Sequence, residues 1–312
     1  MPVLAQRTVT TPAAVPKAGQ RAGVPQAREL RRALLTAAAA ATTVPELASA
    51  LSRRLELLLP HDGSTLTGLD PLTGVDCLHH DGGPVGGAGH EMPIALTHRG
   101  VVWGGLVLVR EPAGRPFAPA ETRRAERLGA TLAVALRHFV AGKPLRPGRR
   151  GLFPGVVVIG PDDTIRGMTQ TARTWLDEFV SEPARTQGDE LPPLLWSITS
   201  FTRRTHSTAL SRIPTCGGWV AVHAQPLGGP HGEIALTFQS APASQLLPAL
   251  FVWYGFTPRE RAIVESLLGG LATKRIARLL GMSPHTVTGH LRSVYRKTGT
   301  SGREELVAGL RQ

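Results

Sequence analysis

Residues 257–312 alternate helix-start and helix-stop signals so closely that they can fold only as a set of short packed helices. Thr257-Pro258-Arg259-Glu260 is a capping box. The Thr hydroxyl can accept from the Glu amide, the Glu carboxylate can reach back, and Pro suits a first helical position where its missing N–H costs nothing. Ile263, Val264, Leu267 and Leu268 give this helix an apolar face, and Gly269-Gly270 end it. A short second helix is expected over 273–280 with Ile276, Ala277 and Leu280 inward, stopped at Gly281, where a left-handed residue is cheap. Ser283-Pro284 is again a cap followed by Pro, and Val287, Leu291, Val294 and Thr298 fall on one stripe ended by Gly299. A fourth helix over 301–310 carries Leu306, Val307 and Leu310 on one side.

The opposite face of the third helix differs in kind. At about 100° per residue, His285, Thr288, Gly289, Arg292 and Arg296 point away from the apolar stripe. A helix, a short turn containing Gly and a capped helix with a polar outer face match the DNA-binding helix-turn-helix. By spacing alone, a plain four-helix packing unit remains an alternative. The charge favours the first reading. The chain carries 35 Lys+Arg against 23 Asp+Glu, a formal +12 with a pI near 11.1. Residues 257–312 hold ten Lys/Arg and four Glu, a net +6, so half of the excess charge sits in the terminal segment. That is the electrostatic footprint of a polyanion-binding domain.

The same residues carry a resemblance. Thr257-Pro258-Arg259-Glu260-Arg261, Thr273-Lys274-Arg275-Ile276-Ala277, Ser283-Pro284-His285-Thr286-Val287 and Lys297-Thr298-Gly299 resemble the successive signatures of the LuxR-type C-terminal DNA-binding domain. The resemblance implies that the helix over 284–298 enters the major groove and that the last helix mediates dimer contact through Leu306, Val307 and Leu310. Arg292 is the expected reader of a guanine edge, because its fork can bond O6 and N7 together. Thr288 and Gly289 permit close approach, with a Thr methyl available to thymine. Lys274, Thr286 and Arg296 are assigned to phosphates, and Thr273 and His285 complete the expected DNA-binding set. His290 reads as structural. The sequence departs from the family at Thr288, where Lys is common, and at Arg275, where Glu is usual. Gly289 gives up about 1 kcal/mol of helix propensity relative to Ala.

At 312 residues and 42% hydrophobic content, several cores are expected upstream. Residues 1–27, rich in Pro, Ala, Thr and basic residues without a period, read as a flexible tail. Helical spacing over 28–59 stops at Pro60. Strand patterns follow over 64–69, 75–80, 92–98 and 101–109, and a helix over 119–140 closes the unit. Residues 143–152 read as a linker. A second unit over 153–241 predicts strands at 155–159, 164–168, 208–213, 219–225 and 233–239, with helices near 171–179 and 194–204. A connector helix lies within 242–256. The fold class is therefore multidomain: two α+β sensory-type domains followed by an all-α four-helix helix-turn-helix domain. Residues 28–142 resemble a GAF domain, and 153–241, opening on Gly155-Val156-Val157-Val158-Ile159-Gly160 and running through Trp175-Leu176, resemble a PAS domain. The whole order is similar to actinobacterial LuxR-family regulators with sensory N-terminal regions.

The two cysteines, Cys77 and Cys216, build neither a disulfide framework nor a zinc spacing, and no apolar run approaches the roughly 20 residues that span a bilayer. The expected setting is the cytoplasm, with no membrane partner. Cys77, His79 and His80, near His90 and His98, invite a metal or haem reading, but strand alternation separates His80 from the other two and an ordinary strand end is the simpler account. Neither metal nor cofactor is expected. Trp175, Trp196 and Trp219 read as core residues rather than a ligand pocket. No nucleophile–base constellation, phosphate loop or dinucleotide motif argues for an enzyme. The expected function is sequence-specific transcriptional regulation by a homodimer on double-stranded DNA, controlled by an unknown small-molecule or protein signal, with RNA polymerase a candidate partner. The alternatives are a sensory enzyme, a sigma-factor-like subunit with an accessory helix-turn-helix, or an interaction protein that has lost DNA binding.

Overall fold

The computed structural model describes residues 27–83, 89–143, 145, 152–179, 191–228 and 232–310. The expected tail lies outside them apart from Ala27, as does most of the expected linker. Helices α1 (Ala27–Ala40) and α2 (Val44–Glu56) open the fold. Thr43 caps α2 by accepting from the Glu46 amide at 3.3 Å, and Glu46 Oε2 accepts from the Thr42 amide at 2.7 Å. The helix ends at Glu56, short of the expected stop at Pro60. Leu55 instead closes the turn by accepting from both Leu58 and Leu59 at 2.8 Å.

Strands β1 (Gly63–Leu69), β2 (Asp76–Asp81), β3 (His90–His98) and β4 (Val101–Arg110) form an antiparallel sheet ordered β2-β1-β4-β3. The β3–β4 hairpin turns on Arg99 and Gly100 at φ 52° and 76°, the two-residue geometry that follows the twist of the strands. At Gly104 a Cβ would lie 2.0 Å from the Thr67 carbonyl, so only glycine fits there. Helix α3 (Pro119–Ala141) lies on this sheet, burying Leu132, Ala133, Leu136, Phe139 and Val140.

The second sheet is ordered β6-β5-β9-β8-β7, from β5 (Gly155–Ile159), β6 (Ile165–Met168), β7 (Ala209–Thr215), β8 (Gly218–Pro226) and β9 (Ile234–Ser240). Helices α4 (Gln170–Phe179) and α5 (Pro193–Thr205) pack on it over a core of Val157, Ile159, Trp175, Ile198, Val222 and Phe238. Of the three tryptophans expected in cores, Trp175 and Trp219 are fully buried. Trp196 is 51% exposed, its indole N–H satisfied at the surface by the Asp163 carboxylate at 3.1 Å.

Helix α6 (Ala243–Trp253) is more than a tether. Trp253 meets Trp103 with ring centroids 4.9 Å apart, and the Arg137 guanidinium donates to the Trp253 carbonyl at 3.0 Å while stacking 4.5 Å from the Trp103 centroid. A single apolar core therefore runs from α1 through the first sheet and α6 into the terminal helices α7 (Pro258–Leu268), α8 (Thr273–Leu279), α9 (Pro284–Thr298) and α10 (Arg303–Leu310). The two sheets are joined by a buried ion pair: Arg212 on β7 donates to Asp70 at 2.7 Å, and its Nε reaches the Gln245 carbonyl on α6 at 2.6 Å. Lys143, expected in a linker, is buried at the end of α3, where its amine bonds the Thr42 carbonyl and lies 4.0 Å over Phe139. Among the described residues no helix is long and apolar enough to cross a membrane.

Candidate nucleic-acid interface

Local chemistry builds the terminal helices as their sequence requires. Thr257 accepts from the Glu260 amide at 3.2 Å and Glu260 Oε2 accepts from the Thr257 amide at 2.7 Å, closing the capping box of α7. Gly281, at φ 63°, turns the chain from α8 toward α9. Ser283 caps α9 by accepting from the Thr286 amide at 3.1 Å, and Gly299 ends it at φ 68°. The stripe of Val287, Leu291, Val294 and Thr298 is buried. That burial fixes the rotation of α9 about its axis and so decides which residues face out.

His285, Thr286, Gly289, Arg292 and Arg296 are exposed on α9, and Lys274 is exposed on α8. Thr273 and Thr288 are half-buried. The Thr288 hydroxyl donates to the Pro284 carbonyl at 2.9 Å, so it is occupied within the helix and the methyl is what remains for an outside contact. Arg296 donates to Ser293 Oγ at 3.3 Å. Among the described residues no carboxylate lies within ion-pair distance of Lys274, Arg292 or Arg296. A Cβ added at Gly289 would meet nothing within 4 Å, so the helix surface is open there. Unpaired cations beside an open, rigidly held helix face are suited to a phosphate backbone with base edges behind it.

The fold places the three expected dimer residues differently. Leu306 is 0% and Leu310 is 5% exposed, and only Val307 is half-buried. Gly309 and Leu310 line a gap, closed even to water, with Leu246, Leu247 and Leu250 of α6. The apolar face of α10 is thus largely spent inside the chain. A node that sequence spacing did not single out also emerges. Lys297 Nζ lies 2.6 Å from Glu260 Oε2 and 2.8 Å from the Gly255 carbonyl, tying the end of α9 to the start of α7 and to the segment leaving α6. Burial alone would push the Glu260 carboxyl up, but hydrogen bonds from Lys297, the Thr257 amide and Ser293, together with the Lys297 charge, hold it below the carboxylate range. The only local hint was that Glu260 already belonged to a capping box.

Residues 255–309 match the family described as bacterial regulatory proteins, luxR family, and so form a LuxR-family helix-turn-helix domain. Proteins of Mycobacterium bovis and Mycobacterium tuberculosis described as HTH-type transcriptional regulators are 46% identical over 55 residues, which is 18% of this chain and 6% of each relative. The chain thus aligns with only a small part of the length of those relatives. A response regulator of Synechocystis sp. is 27% identical over 150 residues, 46% of this chain and 59% of that protein. Among solved structures, the Vibrio cholerae VqmA–ligand–DNA complex has 17% identity and a TM-score of 0.26, covering 51% of this chain and 82% of that one. The sensor region of a sensor histidine kinase has 14% identity and a TM-score of 0.22, covering 64% and 98%.

Proposed function

We propose that this chain is a sequence-specific DNA-binding transcriptional regulator, with residues 28–142 and 153–241 acting as GAF-like and PAS-like sensing domains of an actinobacterial-type LuxR-family protein. The observation that carries this reading is the outer face of α9, exposed, cationic and held in rotation by its buried stripe. Arg292 reads a base edge, with Gly289 and the Thr288 methyl close to the groove floor. Lys274, Thr286 and Arg296 hold phosphates, and Thr273 and His285 flank them. The protein works in the cytoplasm as a homodimer on duplex DNA, with RNA polymerase as a candidate further partner. Pairing through α10 starts from Val307 and recruits Leu306 and Leu310 only if that helix leaves the core. The regulator is not an enzyme.

Titration against a specific duplex and a scrambled one, at several salt concentrations, tests the reading. Arg292→Ala should cost about 1–3 kcal/mol on the specific site and less on the scrambled one. Lys274→Ala should weaken both equally and reduce the salt slope by about 1. The unmutated dimer, neutralising about 6 phosphates, should show a log–log slope near −5. Equal losses for Arg292→Ala on both duplexes would make it a phosphate contact, and a slope near zero would remove the electrostatic grip.

A further inference from the structure

The residues that α9 uses leave unexplained a cavity of about 340 Å³ between the ends of α1 and α3 and the β7–β8 turn. Its volume falls at the lower end of the roughly 300–1,000 Å³ typical of small-molecule sites. Ala38, Ala39 and Phe139 give it apolar walls, and its polar lining includes Thr42, His138, Lys143 and Cys216. Lys143 is only 8% exposed. Among the described residues the Thr42 carbonyl is its sole hydrogen-bond acceptor and no carboxylate pairs with it. Besides the Cys216 thiol, the acid whose field reaches it is Glu46, which spends Oε2 on the Thr42 amide and hydroxyl, both at 2.7 Å. A buried ammonium without a counter-charge is costly, and burial accordingly pulls the Lys143 amine below its ordinary range. The thiol of Cys216, exposed at the mouth, donates to the same Thr42 carbonyl at 3.4 Å.

From the cavity, its apolar walls and the unpaired buried cation, we infer that this is a binding site for a small organic carboxylate, its anionic head on Lys143 and its apolar body against Ala38, Ala39 and Phe139. Of the lining side chains that can carry positive charge, His138 is exposed to water and the Lys143 amine is the one withdrawn from it, so a carboxylate provides both the counter-charge and the acceptors that the amine lacks. The site also has a route to the DNA-binding helices. Two residues beyond Lys143, the Leu145 carbonyl touches α10 so closely that a Cβ at Gly309 would lie 2.2 Å from it. As the identity of the sensed signal, the inference rests on the proposed regulatory function, whereas the binding itself does not.

The test uses the full chain, alkylation of Cys216 by iodoacetamide read by mass spectrometry, and acetate, butyrate and benzoate as probes, with benzyl alcohol as the neutral counterpart. Cys77, which is buried, reports folding by staying unlabelled. At about three times its Kd, a bound carboxylate should slow Cys216 labelling about fourfold. Benzyl alcohol should not slow it, Lys143→Met should abolish the protection and Lys143→Arg should keep it. Protection by none of the carboxylates, equal protection by benzyl alcohol, or protection that survives Lys143→Met in a chain whose Cys77 stays unlabelled would overturn the site. In the regulatory arm, a saturating carboxylate should change affinity for duplex DNA about fivefold or more. Protection without that change keeps the site and overturns its role as the signal. Failure to bind any duplex with or without carboxylate would instead overturn the reading of residues 257–312.

Discussion

Lys297 ties the end of α9 to the rest of the terminal helices through the Gly255 carbonyl and one buried carboxylate, that of Glu260. Glu260 is 3% exposed, so removing its partner strands a charge away from water rather than deleting a surface contact. Lys297→Met should therefore destabilise the protein by about 3 kcal/mol at pH 7, far beyond the loss from a solvated pair. The pH dependence has a fixed sign. Because the Glu260 carboxyl is held below its ordinary value of 4.5 in the folded chain, its stabilising contribution is present above that value and fades as pH falls through the folded one. Urea unfolding at a series of pH values should show the deficit of Lys297→Met largest near neutrality and shrinking below pH 4.5. A deficit independent of pH would mean that lost packing over Phe256, not charge, accounts for it.

At the scale of the element, α9 contains a glycine in mid-helix that neither packs nor turns. Gly289 is exposed, with nothing within 4 Å of where a Cβ would stand. Gly289→Ala should accordingly raise the unfolding free energy by about 0.5–1 kcal/mol through helix propensity alone. If α9 lies in a groove with its backbone close to the bases, the same methyl should weaken specific DNA binding while the free protein becomes more stable. Thermal unfolding and duplex titration on the same variant measure both signs. Unchanged or tighter specific binding would place Gly289 outside the contact. Most of this helix was legible in the sequence, since its cap, stripe and terminator lie within four residues of the groups they act on. The burial of Leu306 and Leu310 inside the chain was not, because an apolar stripe says only that something covers it.

For the whole molecule, Asp70 and Arg212 join three parts at one buried point. The pair stands at 2.7 Å with side-chain exposures of 0% and 7%, and Arg212 also holds the Gln245 carbonyl of α6. Asp70→Asn should cost about 3 kcal/mol by leaving the guanidinium uncompensated. Adding Arg212→Met should recover part of that loss, because the double variant leaves no buried charge unpaired. Urea unfolding followed by tryptophan fluorescence would check both, and a double variant as unstable as the sum of the singles would show that the two residues act independently. If the node couples the sheets, the single Asp70→Asn transition should also broaden or divide in two.

Local sequence settled the order of helices and strands, the caps of α7 and α9, the buried stripe of α9 and the cationic character of its outer face. Each depends on residues within a turn or two of one another, so propensity, capping and periodicity specify it before the chain folds. Tertiary structure alone decided the rest. Asp70 meets Arg212 across 142 positions, Glu260 meets Lys297 across 37, and Lys143 reaches Thr42 across 101. A solvated side chain and one half of a buried pair look identical in sequence. Only when helices and sheets have excluded water does the cost of an unpaired charge select which partners meet.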